Sequence, residues 1–505
     1  MKILRSFILI ILLTALFSCG KEMTYNDAAV RVNKLLKKVN WSENTTTRKA
    51  NISLEENADL NSTLPDIDKF PVVVDPPSSP GDIDVEIFVS TEKSGKGTDG
   101  WIIDIANAFN ASNVTVNGKR AKIRIRSIAS GTGMQYIASK KYIPDAFSPS
   151  SYLWVKMIEP YGIKTELIDE QLVGNVAGIV MKTKSYDDLK AKYGDVDIKN
   201  IVNAVVQGDI SMGYTNPFAS STGLNLLLTV LYTFADGDTE KMLTDEVISA
   251  FESFQMGVPY VALTTMQMRD SVKKGGALDA FVLEYQTYVN TQELKTGYVF
   301  LPFGVRHDNP LYAVGDITPE KSEVLKKFSQ MTKQPEYKKI AKKYGFDQND
   351  YVSTMREIKG ETILAAQKLW KEKKDSGREI VAVFLCDVSG SMNGDPIIKL
   401  KTALTEGSKF INKTNSIGLV TFSGRVDKLL DIKKFNLNQQ ASFLAAVEDM
   451  YADGSTAMYD GIVVSLKMLV EEKNRNQNIK PMLFILTDGD FKIPGLEQFA
   501  LYRTD

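Results

Sequence analysis

Residues 381–391 read VAVFLCDVSGS, an apolar run that leads directly into an acidic, hydroxyl-rich loop. A short continuous apolar run of this kind is typical of a buried strand. The loop after it carries Asp387, Ser389 and Ser391. In open α/β sheets, ligands bind outside the carboxyl ends of the strands. The stretch therefore predicts an α/β sheet with a polar site at the end of this strand.

Two later segments offer side chains of the same kind. Thr456 opens a helical pattern, and Asp488 follows the apolar run of residues 482–486. With the Asp387 loop, they supply two carboxylates and three hydroxyls, without a thiolate or an imidazole. Such hard oxygen donors favour Mg²⁺, Mn²⁺ or Ca²⁺ over zinc. Because Mg²⁺ takes about six oxygen ligands, the set leaves a position open for a carboxylate from another molecule.

These segments resemble the metal-ion-dependent adhesion site of von Willebrand factor A domains, which joins an Asp-x-Ser-x-Ser loop to a distant Thr and a distant Asp. The resemblance assigns as metal ligands Asp387, Ser389, Ser391, Thr456 and Asp488. It implies a Rossmann-like A-type domain over residues 379–505, and a partner protein whose Glu or Asp fills the open metal position. An ordinary strand-end turn without a metal is the alternative.

The family fold continues with a further helix and strands beyond the position of Gly489, where this sequence has 16 more residues. We therefore expect a C-terminally incomplete domain, or an edge that something else covers. Without cover, residues 482–486 would form an exposed apolar sheet edge, which favours aggregation.

Length and composition restrict the function. A chain of 505 residues is too long for one core and predicts two or three domains. Its formal net charge of −1 gives no support for nucleic-acid binding. We expect no catalytic role, because the sequence lacks His-Glu-x-x-His and Gly-x-Ser-x-Gly motifs and contains one histidine, His307. That histidine lies in a polar, turn-like stretch, which predicts an exposed position.

Residues 1–18 predict a lipoprotein signal peptide. A basic start precedes the apolar residues 7–16, a stretch too short to span a bilayer comfortably. Leu16-Phe17-Ser18-Cys19 resembles a bacterial lipobox, although Phe17 replaces the small residue usual there. The resemblance implies that Cys19 is lipidated and anchors the protein to the extracytoplasmic face of a cell membrane. A plain signal peptide is the alternative.

Two further segments are expected to connect domains. Residues 19–81 are rich in Asn, Ser, Thr and Glu and predict a flexible tether. Residues 351–378 contain a helix-period pattern with a charged end, which predicts a linker helix with one packed face.

The segment 82–350 predicts a second α/β domain, because apolar strand-like runs alternate with helix-period segments. Three parts are similar to bacterial periplasmic-type solute-binding proteins: GYTNPFASSTGLN at residues 213–225, SGTGM at residues 130–134, and the closing helix within residues 334–346. The similarity implies two lobes, a hinge and a ligand cleft.

Polar side chains at strand-to-helix junctions are the ligand candidates. Helix N-termini there can bind a small polar or anionic ligand together with Thr91, Ser130, Thr132, Ser150 and Asn216. Each of these side chains could instead cap its helix. Arg306 is a basic candidate for an anionic ligand, with a surface salt bridge as its alternative.

The combined interpretation is a lipid-anchored extracytoplasmic binding protein that joins small-ligand binding to metal-ion-dependent protein–protein binding or adhesion. The alternative is the substrate-binding receptor of an ABC transporter with an accessory A-type domain. A metal-dependent enzyme is a third possibility, for which the sequence contains no supporting motif.

Overall fold

The computed structural model describes residues 25–50, 64–273, 278–346, 350–374, 378–408 and 411–488. The chain forms two compact units. The split unit combines Met1–Glu55 with Gly377–Asp505, and the central unit comprises Glu56–Ser376. The predicted signal peptide and Cys19 lie outside the described residues. Within the described residues, no helix combines the length and apolar character needed to cross a bilayer.

Strands and α-helices alternate along much of the described chain. The strands are β1 Trp41–Glu43, β2 Val72–Val74, β3 Ile83–Val89, β4 Thr115–Val116, β5 Lys119–Ser127, β6 Ala146–Ser148, β7 Thr165–Asp169, β8 Val176–Lys182, β9 Met212–Thr215, β10 Tyr260–Ala262, β11 Ala280–Glu284, β12 Tyr298–Arg306, β13 Leu311–Val314, β14 Glu379–Asp387, β15 Ser416–Phe422, β16 Val426–Lys434 and β17 Ile479–Leu486. The α-helices are α1 Tyr25–Leu36, α2 Trp101–Ala111, α3 Ser130–Ala138, α4 Leu153–Lys156, α5 Thr183–Tyr193, α6 Ile198–Gln207, α7 Ser221–Phe234, α8 Asp245–Met256, α9 Thr265–Lys273, α10 Tyr285–Val289, α11 Pro319–Thr332, α12 Pro335–Lys343, α13 Gly360–Lys373, α14 Asp395–Ser408, α15 Leu437–Asp449 and α16 Met458–Arg475.

The split unit is built on one sheet with the strand order β1-β16-β15-β14-β17. Successive side chains of a strand point to opposite faces, so β14 supplies both cores. Val383 and Leu385 pack on the face covered by α16, whereas Ala382 and Cys386 pack on the face covered by α14 and α15. Strand β17 pairs with β14, and in the described part of the chain it forms an edge of the sheet. The predicted α/β fold is confirmed.

The prediction of a flexible tether over residues 19–81 is wrong where the structure describes that segment. Strand β1 pairs in parallel with β16, and Val32, Leu36, Val39 and Trp41 pack against the core of the split unit. Leu36, Val39 and Trp41 therefore face a core rather than solvent. Farther along, β2 pairs with β5 of the central unit.

The expected linker helix is also part of a unit. Helix α13 packs against α7 and α8 of the central unit, with Ile363 and Trp370 buried. The indole nitrogen of Trp370 donates to the hydroxyl of Tyr214 at 2.6 Å. The one packed face was predicted correctly, but it binds the helix to the central unit.

Two sheets organise the central unit. One has the order β2-β5-β3-β6-β13-β7, with β4 beside β5, and the other has the order β10-β9-β11-β8-β12. The sheets are mixed rather than purely parallel, because β8 pairs antiparallel with β11 and β12, and β13 does so with β6 and β7. The chain crosses between the sheets after β7 and again after β12, as expected for two lobes joined by a hinge.

Candidate functional sites

A chain of hydrogen bonds joins the Asp387 loop to the end of β17. Asp387 is 1% exposed; its Oδ1 accepts the backbone N–H of Ser389 at 2.8 Å, and its Oδ2 accepts the hydroxyl of Thr487 at 2.7 Å. The hydroxyls of Ser389 and Ser391 lie 3.2 Å apart, and that of Ser391 donates to Oδ1 of Asp488 at 3.2 Å. The parallel pairing of β14 with β17 brings these strand ends together. Four of the five predicted metal ligands therefore converge.

Thr456, the fifth predicted ligand, lies on the neighbouring loop. That loop is held against the Asp387 loop, because Gly390 N–H donates to the carbonyl of Gly454 at 3.0 Å and Asp453 N–H donates to that of Val388 at 2.9 Å. Thr456 itself is exposed, and its side chain makes no hydrogen bond to the other four ligands in the described part of the chain.

The donor set fits a hard divalent cation. It consists of carboxylate and hydroxyl oxygens, the ligands that Mg²⁺, Mn²⁺ and Ca²⁺ prefer. The described residues contain no group of three or more His, Cys, Asp or Glu side chains suited to a metal, so hydroxyls must supply part of any coordination at this site. Sequence reasoning missed Thr487, although it directly precedes Asp488; its hydroxyl fixes the orientation of the Asp387 carboxylate.

In the central unit, two of the predicted ligand residues meet directly. Ser150 N–H donates to the hydroxyl of Ser130 at 3.2 Å, and both residues are buried. Ser150 in turn donates its hydroxyl to Glu92 at 3.2 Å, which places Thr91 next to the same cluster along the chain. Thr132 lies in the first turn of α3 and is half-buried.

Asn216 belongs to the opposite lobe, where its side chain accepts the N–H of Phe218 at 2.8 Å. The loop that carries it touches the first turn of α3. A Cβ placed on Gly131 would come within 1.9 Å of the Phe218 carbonyl oxygen, and Gly131 N–H donates to the Ala219 carbonyl at 3.4 Å. The lobes thus meet at the junction that the sequence predicted, with Ser130 and Asn216 on opposite sides of it.

Sequence reasoning missed a cluster of buried charged residues at this lobe junction. Its members are Glu92, Lys93, Glu284 and His307, each at most 8% exposed. The Lys93 ammonium donates to the Ser90 hydroxyl at 2.7 Å, the Ser148 carbonyl at 2.9 Å and Asn309 Oδ1 at 3.1 Å. Glu284 accepts from Asn175 at 2.6 Å and lies 2.9 Å from the His307 ring.

Burial disfavours charge in this cluster. It raises the pKa of Glu92 to about 7, and the nearby Glu284 carboxylate acts in the same direction. Burial likewise lowers the pKa of Lys93 to about 7. Glu92 and Lys93 lie shortly after the end of strand β3. A search for polar side chains at strand-to-helix junctions could therefore have included them. No local sequence pattern could have linked Glu284 to His307. Glu284 ends strand β11, whereas His307 lies in the segment that crosses back between the lobes after β12.

Two further expectations concern neighbouring residues of the crossover segment. The prediction that His307 is exposed is wrong: the side chain is 0% exposed, because its two ring nitrogens contact Glu284 and Asn225 inside the hinge. Arg306 forms a salt bridge with Asp308 at 2.8 Å, but both side chains are half-buried, so this is not the surface salt bridge given as the alternative.

Comparison with known proteins assigns both modules. Residues 94–347, half of the 505-residue chain, match the family described as bacterial extracellular solute-binding protein. Residues 382–490 match the von Willebrand factor type A domain.

Curated relatives match about a fifth of the chain. The inter-alpha-trypsin inhibitor heavy chain H3 of Mesocricetus auratus is 27% identical over 115 residues, and that of Bos taurus is 28% identical over 120 residues. These alignments cover 21% and 22% of this chain, and the chain spans 13% of the length of each relative.

Solved structures similar to the chain include a periplasmic thiamin binding protein, with 12% identity, a TM-score of 0.42, and coverage of 60% of this chain and 98% of the other. The sulfate-binding protein SubI from Mycobacterium tuberculosis H37Rv has 16% identity, a TM-score of 0.38, and coverage of 57% and 97%.

The two-lobed central unit and the family match over half of the sequence lead to one conclusion. The chain belongs to the bacterial extracellular solute-binding protein family, and it carries a von Willebrand factor type A domain at its C-terminal end.

Proposed function

We propose that this protein is a lipid-anchored extracytoplasmic binding protein whose central unit binds a small polar or anionic ligand and whose split unit binds a partner protein through a metal ion. The observation that carries the metal-dependent part is the hydrogen-bonded convergence of Asp387, Ser389, Ser391 and Asp488. The proposal assigns binding roles to both units and catalysis to neither.

Asp387 and Asp488 would supply the negative charge for Mg²⁺, Mn²⁺ or Ca²⁺, and Ser389, Ser391 and Thr456 would supply neutral oxygens. A bound cation offers an open coordination position to a carboxylate of the partner and relieves the repulsion between two neighbouring carboxylates. The hydroxyl of Thr487 and the N–H of Ser389 hold the Asp387 carboxylate in place. The loop is therefore preorganised for the cation.

The central unit supports the ligand-binding part. Ser130 and Ser150 lie at the lobe junction, beside the N-terminus of α3, where backbone N–H groups attract polar or anionic groups. Asn216 faces this junction from the other lobe. Opening of the lobes would expose these groups to a ligand, and closure would bury it between them.

Membership of an extracellular solute-binding family supports the extracytoplasmic location. The lipid anchor is inferred from the sequence around Cys19. Five residues lie between Cys19 and Tyr25 of the split unit, a chain length that reaches at most about 20 Å. A lipidated Cys19 would therefore keep the split unit close to the membrane. Release of a Cys19→Ser variant from the membrane fraction tests this point, and unchanged membrane partitioning and mass would contradict it.

Calorimetry with Mg²⁺ and Mn²⁺ on the full chain tests the metal site. We expect binding to the wild type and none to Asp387→Ala, because the variant loses one of two anionic ligands. Asp395→Ala is the matched control, since Asp395 is an exposed carboxylate on α14 that pairs with Lys399. Absence of metal binding to the wild type would refute the metal-dependent part and leave the solute-binding part standing.

A second candidate function is the substrate-binding receptor of an ABC transporter with an accessory A-type unit. The family match and the lobe junction favour it. Two measurements distinguish the candidates: native mass spectrometry of the full chain, which detects a retained ligand, and solute uptake by cells that carry Asp387→Ala. A retained ligand together with normal uptake would favour the receptor. Loss of a partner interaction in that variant would favour the combined binding role.

A further inference from the structure

A groove opens beside the metal loops of the split unit. It has a volume of about 870 Å³. One wall is the N-terminal strap, which we define as residues 40–48, and the other consists of the β15–β16 turn and the loop of residues 449–454. Val388 and Gly454 line the groove as well as belonging to the metal loops, so the groove is continuous with the candidate metal site.

The strap is a fixed wall. Thr46 N–H donates to the Leu429 carbonyl at 3.0 Å, and the carbonyl of Asn40 accepts from Val426 N–H at 3.2 Å. Arg48 closes the far end by pairing with Glu448 at 2.8 Å and Asp449 at 2.9 Å. The strap lies outside residues 382–490, the part that matches the A-type family. The groove is therefore a feature that this chain adds to the A-type domain.

Arg425 gives the groove a guanidinium near the metal loops, and Asp427, which also lines the groove, pairs with one side of it. The Arg425 side chain is 59% exposed, and its Nε donates to Asp427 at 3.1 Å. No other hydrogen bond of this guanidinium occurs within the described residues, so its terminal nitrogens remain available. Gly424, its neighbour, packs against Ser455 of the loop that carries Thr456. Arg48 differs because its guanidinium already pairs with two carboxylates, those of Glu448 and Asp449.

The remaining lining of the groove suits an extended peptide. Thr45 and Thr47 present exposed hydroxyls along the strap, and Tyr451 is 74% exposed on the opposite wall. Asp453 already accepts the Gly454 N–H at 2.7 Å through one oxygen, and its other oxygen can accept a backbone N–H. These groups can hydrogen-bond to a main chain without selecting a particular sequence.

We propose that the partner segment is an extended acidic stretch of protein whose main chain lies in the groove beside the strap. It binds with two carboxylates. One carboxylate completes the coordination of the metal ion, and the second pairs with Arg425. The proposal rests on the proposed metal site for the first carboxylate. The second carboxylate adds selectivity, because a charged pair with a guanidinium is directional and can be bidentate.

Fluorescence anisotropy with synthetic labelled peptides tests this proposal on the full chain in Mg²⁺. The probes are glycine-based peptides with two Asp residues two, three or four positions apart, each paired with a peptide whose second Asp is replaced by Asn. We expect at least one two-Asp peptide to bind about three- to tenfold more tightly than its Asn counterpart. Arg425→Gln should abolish that ratio, and Arg425→Lys should retain part of it.

The control is Lys413→Gln, which removes an exposed cation of the same unit that does not line the groove. Equal affinity for two-Asp and Asn peptides in the wild type would overturn the proposal, as would an unchanged ratio in Arg425→Gln or no peptide binding at all. Metal-dependent binding of every peptide with equal affinity would leave the proposed metal site intact. If the wild type does not bind Mg²⁺, the proposed metal site itself is refuted.

Discussion

Nδ1 of His307 lies 2.9 Å from Oε1 of Glu284, and both side chains are buried where the chain crosses between the two lobes of the central unit. The other ring nitrogen faces Asn225 Nδ2 at 3.2 Å. Asn225 is oriented by Val305, whose N–H donates to its Oδ1 at 2.9 Å and whose carbonyl accepts from its Nδ2 at 2.7 Å. Nε2 of His307 must therefore accept, and Nδ1 must carry the proton that Glu284 binds.

The first prediction is that Nδ1 of His307 carries a proton in the folded protein and that Nε2 accepts from the Asn225 amide. A proton at Nε2 would instead face the Asn225 amide donor, so the tautomer with its proton on Nδ1 is the one that satisfies both contacts. Because His307 is the only histidine, nitrogen NMR of protein labelled at histidine and purified without a histidine tag reports on this ring alone. The unfolded protein supplies the reference spectrum. A ring protonated at Nε2 near neutral pH would contradict the assignment.

The second prediction concerns Glu92. Its pKa rises to about 7 in the folded protein, so the folded state binds more protons than the unfolded state between about pH 4.5 and pH 7. The unliganded wild type should therefore lose stability relative to Glu92→Gln as the pH rises through this range, by on the order of 2–3 kcal/mol. Urea unfolding at a series of pH values measures the difference.

The exposed residue Glu293 provides the control for that experiment. Glu293→Gln should follow the wild type at every pH. A constant difference between wild type and Glu92→Gln across the range would show that Glu92 is ionised as easily in the folded protein as in the unfolded chain.

The third prediction concerns lobe closure. A methyl group on Gly131 would lie 1.9 Å from the Phe218 carbonyl oxygen of the opposite lobe, so Gly131→Ala should keep the lobes apart. Gly133→Ala, on the same helix, meets only Phe147 and Ile128 side chains at 3.1 Å or more, and those can adjust. Small-angle X-ray scattering should show a larger radius of gyration for Gly131→Ala alone. Identical scattering from both variants would contradict the closed arrangement.

The fourth prediction concerns the N-terminal strand of the split unit. The indole of Trp41 packs against its core, and Lys467 Nζ lies 5.5 Å from the ring centroid. Trp41→Ala should destabilise this unit by about 1–3 kcal/mol, since the ring is half-buried. Hydrogen exchange at β15 and β16 measures the loss, with the exposed Lys49→Ala as control. Unchanged exchange would mean that residues 25–50 behave as the tether that the sequence suggested.

Much of the split unit could be predicted from local patterns. The apolar run before Asp387 forms β14 as predicted, and three of the metal ligand candidates lie within five residues of one another. Their grouping needs only a turn at the end of a strand. Asp488 was assigned through the family resemblance, and the parallel pairing of β14 with β17 is what brings it to the same edge of the sheet.

Local periodicity gave a less complete account of the helices. The closing helix expected within residues 334–346 is α12, which begins at Pro335 and follows a separate helix, α11. Proline lacks the N–H that a continuous helix would need there. Composition likewise favoured a tether for residues 19–81, since composition does not reveal that Trp41 pairs with Val426 on a strand far along the chain.

The sequence by itself determined the α/β class, the family-like segments and the short-range ligand loop, because burial patterns and turn residues act over a few neighbouring positions. The tertiary structure alone decided that the N-terminal strand completes the split unit and that His307 is buried against Glu284. Both depend on which distant surfaces meet. A polar stretch is buried when partners from other elements satisfy its hydrogen bonds, and those partners are adjacent only after the chain has folded.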